Sequence, residues 1–382
     1  MSNIVVPDGT FRMTTVDLTA DTEYQEFVAT DGLWVTDENQ VSANGTSKVL
    51  FSGYRDFING ANIINYNVYY TDFQSYGNTS GVTRFSYNNQ WGQTVSANKE
   101  GNIVALGQAL GNLGTNNNAR ILASSDDWAT FDIDITIALS DFGGSYPSVG
   151  PLVSPDGNVV LVPNTPRIFS LWYFNGTTYV DSGESWSFGS VSIKDWDFAL
   201  DNPRRFVVNV TSNKYVFDFD YDQGSGINNL TIVGRKYNTA DFTVRARITN
   251  DGQYLYAYEG DENFYFIEAE GVDTSNTVWR NFGDTDYSGG TGITAFDLSY
   301  VMSSDGQVSV CYRDNSDNTW VVKTVTGDYS SLVLPTQEYT TIAEADLPWG
   351  SGYDYHVQLN KHNELLVFGK QGTAGRYTRI KI

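Results

Sequence analysis

A weak motif that recurs seven times along the chain constrains the fold more than any other feature of the sequence. The copies are VSANGTSKVLFSG (41–53), VSANKEGNIVALG (95–107), LVSPDGNVVLVP (152–163), ALDNPRRFVVNV (199–210), ITNDGQYLYAY (248–258), MSSDGQVSVCY (302–312) and LNKHNELLVFG (359–369). Each joins an apolar strand to a β-rich strand through a polar turn. With Gly45, Gly101, Gly157, Arg204, Gly252, Gly306 and Asn363 as equivalent points, the successive intervals are 56, 56, 47, 48, 54 and 57 residues. A period of this length suits one small four-stranded sheet with its loops, and such a unit buries its faces only by stacking on its neighbours.

Turn chemistry fixes the register within each copy. Asp-Gly at 156–157, 251–252 and 305–306 and Asn-Gly at 44–45 favour the positive-φ turns of tight hairpins, so the turn joins the two inner strands. Third strands are predicted over 63–71, 119–125, 168–174, 214–220, 263–269 and 320–326, and fourth strands over 82–87, 131–137, 178–183, 229–234, 277–282 and 331–335. The seventh copy has a third strand, 376–382, and lacks a fourth. The β-rich segment 10–18 stands unassigned before the first inner strand at 33–41 and is expected to pair with 376–382, which would remove two open sheet edges. The expected fold class is therefore all-β: one domain over 1–382, a seven-bladed β-propeller of four-stranded antiparallel blades closed by its N-terminal strand. The blades fall at about 33–87, 91–137, 148–183, 193–234, 242–282, 293–335 and 353–382 plus 10–18.

Composition narrows the function classes. Aromatic residues make up 14% of the chain and charged residues only 18%, with 36 Gly, a balance that favours strands over long amphipathic helices. The net charge of -22 repels phosphate backbones and anionic surfaces, so neither nucleic acid nor an anionic membrane is an expected partner. Cys311 is the one cysteine, so an internal disulfide framework and a cysteine-rich zinc site are both excluded. No basic, then apolar leader is seen at MSNIVVPDGTFRM, and no apolar run reaches the ~18 residues of a membrane-spanning helix. The expectation is a soluble product made in the cytoplasm.

The segment SSDDWATF (124–131) resembles the Asp-box turn of sialidase-like and sortilin-like propellers: Ser124, Asp126 and Phe131 fit, and Trp128 stands where the box has Gly. The resemblance covers about eight residues and implies a structural turn remote from any catalytic centre. Sialidase chemistry would need three converging arginines, and no pattern selects them. With only His356 and His362 and no Gly-x-Ser-x-Gly, nucleophilic hydrolysis has no visible triad. Trp196-Asp197 is not in phase with the Trp-Asp pairs that mark WD-repeat blades.

Two constellations carry candidate sites. In DFDYDQG (218–224) a strand would place Asp218, Asp220 and Asp222 on one face and Phe217, Phe219 and Tyr221 on the other. The three carboxylates are a candidate calcium site, or else the polar face of an outer strand. Loops mixing aromatics with acids and amides give Trp172, Tyr173, Trp186, Trp196, Asp261 and Glu262 as candidate ligand-binding residues. Aromatic faces stack on sugar rings while carboxylates take hydroxyls; the other reading packs Trp186 and Trp196 between blades.

A Gly-, Asn-, Ser-, Thr- and Tyr-rich composition, poor in Cys and His, looks similar to that of tail, fibre and capsid-decoration proteins. It implies a non-enzymatic structural or adhesive component of a virus or phage particle, located in the virion, recognising other particle proteins or a surface glycan through rim loops. A carbohydrate-binding or glycoside-cleaving propeller is the alternative, and an intracellular scaffold is a third.

Overall fold

In the computed structural model of the chain, the described residues are the strands named below and adjoining loops. Side chains are described in stretches of 96–139 and through 149–210, 213–237, 246–257 and 266–272. The described strands form seven sheets, each taking its strands largely in chain order. The first holds Val41–Ala43, Lys48–Ser52, Ala61–Asp72 and Val82–Asn88, with Asp56–Ile58 alongside; the second holds Gln90–Ala97, Ile103–Leu110, Asn118–Ala123 and Ile133–Ala138. The third comprises Leu152–Val153, Val159–Thr165, Ile168–Phe174 and Tyr179–Ser187. The fourth comprises Ile193–Phe198, Arg205–Val210, Asn213–Asp222 and Gly226–Tyr237, and the fifth Arg247–Ile248, Tyr254–Glu259, Asn263–Glu268 and Arg280–Asp284. Leu298–Met302, Gln307–Asp314, Thr319–Thr326 and Glu338–Ala343 make the sixth; Asp354–Leu359, Glu364–Gln371 and Ala374–Lys381 make the seventh.

Two strand expectations meet a different arrangement. The edge strand beside Ala374–Lys381 is Gln25–Val28, with Gln25 opposite Tyr377 and Val28 opposite Ala374; residues 10–18 lie outside the described residues. The sixth sheet ends on Glu338–Ala343, and 331–335 likewise fall outside them. One addition was not foreseen. Gly271–Asp273, from the fifth sheet's stretch of chain, runs parallel to Gly234–Lys236 and straps the outer edge of the fourth sheet.

The first strands of several consecutive sheets lie side by side: Val41–Ala43 and Gln90–Ala97, Gln90–Ala97 and Leu152–Val153, Ile193–Phe198 and Arg247–Ile248, and Leu298–Met302 and Asp354–Leu359. Sheets stacked this way bury both faces, so their central strands read as nearly continuous apolar runs. Val160 and Val162 face Ala105, Ala119 and Ile121 of the second sheet, whereas Val159 and Leu161 face Phe206, Phe217 and Trp196 of the fourth. Val207 and Val216 then pack on Ala246, Ile248, Leu255 and Ala257 of the fifth. The interface between the third and fourth sheets is the aromatic one. Phe169 meets Phe206 and Phe217 edge-on at 5.8 and 5.5 Å, and Phe206 stacks on Phe217 at 5.2 Å, geometries that favour the ring quadrupoles.

The recurrent turn is built twice from the same parts. Ser154 Oγ donates to Asp156 Oδ1 (2.7 Å) and accepts from Val159 N, while Asp156 Oδ1 accepts from Asn158 N. Thr249 Oγ1 donates to Asp251 Oδ1 (2.6 Å) and accepts from Tyr254 N, and Asp251 Oδ1 accepts from Gln253 N. Gly157 and Gly252 take φ of 73° and 78°, a region that costs a side chain strain. Each turn also leans on the sheet before it: a Cβ at Gly157 would meet Ile103, and one at Gly252 would meet Arg205. Arg205 donates to the Gly252 carbonyl and pairs with both Asp218 and Glu270.

Polar side chains satisfy the exposed edges of the first strands, whose backbone groups would otherwise lack partners. Ser96 Oγ accepts from Val153 N at 2.7 Å. Asn209 donates to the Ala246 carbonyl and accepts from its N–H, and Asp197 Oδ2 accepts from Ile248 N. At the Asp-box-like turn, Ser124 is buried and its N–H donates to the Asn102 carbonyl, while Phe131 is exposed. Asp126 and Trp128 fall outside the described residues.

Candidate functional site

The described candidates separate into core, paired and exposed positions. Trp196 is 5% exposed and packs edge-on against Phe169; it belongs to the core and is out of reach of a ligand, which corrects its place among the binding residues. The cause is its neighbourhood: Trp196 packs among Val159, Leu161 and Phe169 of the third sheet, and its strand lies beside Arg247–Ile248 of the fifth. Trp172 is half-buried against the second sheet, and Tyr173 lies 6.3 Å from Tyr221 across the third and fourth. Asp261 and Glu262 lie outside the described residues.

The alternation read in 218–222 is present, with Phe217 and Phe219 buried on one face. The three carboxylates nevertheless serve three separate partners. Asp218 accepts from two of the three Arg205 guanidinium nitrogens, Nε at 2.8 Å and Nη2 at 2.7 Å; Asp220 accepts from Asn229 Nδ2; and Asp222 accepts from Gly224 N and Ser225 N. These backbone donors hold the Asp222 carboxyl below its usual pKa. Among the described residues no group of three or more His, Cys, Asp or Glu is placed to hold a metal ion.

One row of polar residues crosses the fourth sheet on the face toward the fifth: Asp195, Asn209, Lys214 and Lys236 stand opposite one another in register. Lys236 Nζ donates to the carbonyls of Glu270 and Gly271. Lys214 is 3% exposed, and burial pushes its pKa from 10.5 down to about 8 against the opposing pull of Asp195. Asp195 Oδ1 accepts from Trp196 N, and its buried Oδ2 lies 3.8 Å from Arg247 Nη2. This row fastens two sheets, and its groups are enclosed.

A second cluster lies at the edge of the interface between the third and fourth sheets. Trp186, near the end of Tyr179–Ser187, meets Phe217 at 5.3 Å. Phe188, just beyond that strand, meets Tyr215 at 5.1 Å. Tyr215 stands opposite Arg235 on the neighbouring strand. The Arg235 guanidinium carbon lies over the Tyr215 ring at 5.2 Å and over Tyr237 at 4.6 Å. Trp186, Phe188, Tyr215, Arg235 and Tyr237 are all half-buried. Arg235 Nε is buried and has no hydrogen-bond partner among the described residues. Cation–π contact holds the guanidinium plane; Nε is sealed inside, so a ligand can be met only by the terminal Nη groups. Such a group is suited to bind a planar anion.

Trp186 was a candidate from the sequence; Phe188, two residues on, was not singled out. Nor were Arg235 and Tyr237. Their meeting with Tyr215 depends on a hairpin whose register shifts twice, between Val216 and Phe217 and between Asp218 and Asp220.

Among solved structures the chain is similar to Sqt1 of Chaetomium thermophilum bound to the N-terminus of the ribosomal protein L10, at 14% identity and a TM-score of 0.45, covering 72% of this chain and 70% of that one. A second Sqt1 structure from the same organism gives 14% identity and a TM-score of 0.44, over 72% and 67%. No protein-family model and no curated protein matches the sequence. The architecture is all-β, with the described strands in seven sheets.

Proposed function

We propose that the chain is a closed seven-bladed β-propeller acting as a non-enzymatic binding module, with the cluster of Trp186, Phe188, Tyr215, Arg235 and Tyr237 as its contact surface. The observation that carries this reading is Arg235, half-buried over two tyrosine rings with no carboxylate paired to it among the described residues. Half-exposed Trp, Tyr and Arg in one cluster are the residue types that dominate binding energy at interfaces. The rigid stack of sheets keeps them in place without ordering cost on binding.

The composition favours a virus or phage particle as the setting, with another particle protein as partner. A glycan is the second reading, favoured by the half-buried indole of Trp186, which offers a face to a sugar ring. Density-gradient fractionation of the source lysate, with mass spectrometry locating the chain, tests the setting. The expected result is co-migration with particles in fixed stoichiometry, reduced in a Trp186→Ala variant. A chain that stays at the top of the gradient removes the particle, and a glycan array then decides the second reading.

A further inference from the structure

We propose that Arg235 is the seat of a side-chain carboxylate from an acidic segment of a protein partner, an inference that rests on the binding-module reading. The first support is the pairing of the other half-buried arginines among the described residues. Arg120 pairs with Asp134, Arg204 with Asp156, and Arg205 with Asp218 and Glu270. In a chain with 45 acidic and 23 basic residues, a half-buried guanidinium is readily given a counter-ion. Arg235 has been given two tyrosine faces instead. Partial burial removes water from the cation, and a carboxylate restores what was lost through paired, charge-assisted hydrogen bonds.

The second support is the surroundings. A sugar needs amides and carboxylates around it to take its hydroxyls, whereas the five residues of the cluster present one cation and four aromatic rings. A glutamate or aspartate flanked by apolar or aromatic neighbours matches that pattern. The chain's net charge of -22 opposes an acidic partner at long range, so the attraction is confined to contact distance. Salt then has an unusual sign. Screening relieves the repulsion over a Debye length of about 10 Å at 0.1 M, while the partly buried pair is screened less. Binding of an acidic probe should tighten as salt rises from low to physiological concentration, the reverse of surface ionic adsorption.

The test titrates the full chain by calorimetry with an N-acetylated pentapeptide carrying one glutamate between two tyrosines, and with its glutamine twin. The expected result is a preference of about tenfold for the glutamate peptide, lost in Arg235→Met and not restored in Arg235→Lys, whose ammonium lacks the planar fork. Both variants are checked for an unchanged melting midpoint; if Arg235→Met fails to fold, Tyr237→Leu, which removes one supporting ring, should narrow the same preference. Equal binding of the twins overturns the inference, as does a preference that survives in Arg235→Met. Capture of an oligogalacturonate while the peptides stay silent replaces the protein carboxylate with an acidic sugar and also overturns it. If Trp186→Ala releases the chain from its particle but the twins bind alike, the carboxylate inference falls and the binding-module reading stands.

Discussion

Lys214 occupies the third strand of the fourth sheet with 3% of its surface exposed, and its pKa is pushed from 10.5 to about 8 by burial. The unfolded chain holds this proton up to about pH 10.5, whereas the folded chain releases it from about pH 8. Across that window the unfolded state binds more protons, so folding stability rises with pH. The expected outcome is a melting midpoint that climbs between pH 8 and 10 in the natural chain and climbs less in Lys214→Met; parallel curves would remove Lys214 as the cause. The sequence shows Lys214 as the polar start of a strand, and nothing in NKYVFDFD distinguishes an enclosed amine from a solvated one. The Ser154 and Thr249 turns differ in this respect. Hydroxyl, carboxylate and glycine sit within four residues of one another, so their bonds are local and were legible before any fold was known.

Elements are held together by close approach as well as by bonds. Gly234 lies where the outer strand of the fourth sheet passes the fifth, and a Cβ there would stand 1.9 Å from the Ala269 carbonyl oxygen. Backbone cannot yield as a flexible side chain does, so Gly234→Ala forces the two sheets apart. Overpacking of this kind costs about 1 to 3 kcal/mol. The expected outcome is a melting midpoint lowered by several degrees; a variant melting like the natural chain would show that the strap at Gly271–Asp273 slides freely. Arg205 works at the same seam, tying its own sheet through Asp218 to the next through the Gly252 carbonyl and Glu270. Strand positions at this scale were readable, Ile168–Phe174 to the residue. The parallel strap was not, because VDTSNT carries no β-signal and pairing through Gly271–Asp273 follows from the proximity of two sheets.

At the scale of the molecule, the pairing of Gln25–Val28 with Ala374–Lys381 joins residues near the two ends of the chain. Removing residues 1–28 exposes the edge of the seventh sheet and, in the proposed closed ring, loosens every neighbour in turn. Loss of cooperative thermal unfolding is expected for that deletion, with cooperativity retained when only 1–18 are removed. A 1–18 deletion as unstable as the longer one would return the proposed closing role to 10–18, and two cooperative deletions would mean that the fold does not depend on this strand. The sequence by itself determined what local chemistry and period dictate: strands of the observed spacing, hairpin turns from Asp-Gly, a chain without the residues of a disulfide framework, and an acidic surface. It could not determine which of many aromatic and acidic side chains meet. Trp196 and Trp186 read alike in ESWSFGSVSIKDWDF, yet one is sealed between sheets and the other lies at their edge. Tyr215 and Arg235 are brought together across a hairpin with two register shifts. Burial and cross-strand register are properties of stacked sheets, set by the sum of many weak contacts over residues distant in sequence, and only the tertiary structure decided them.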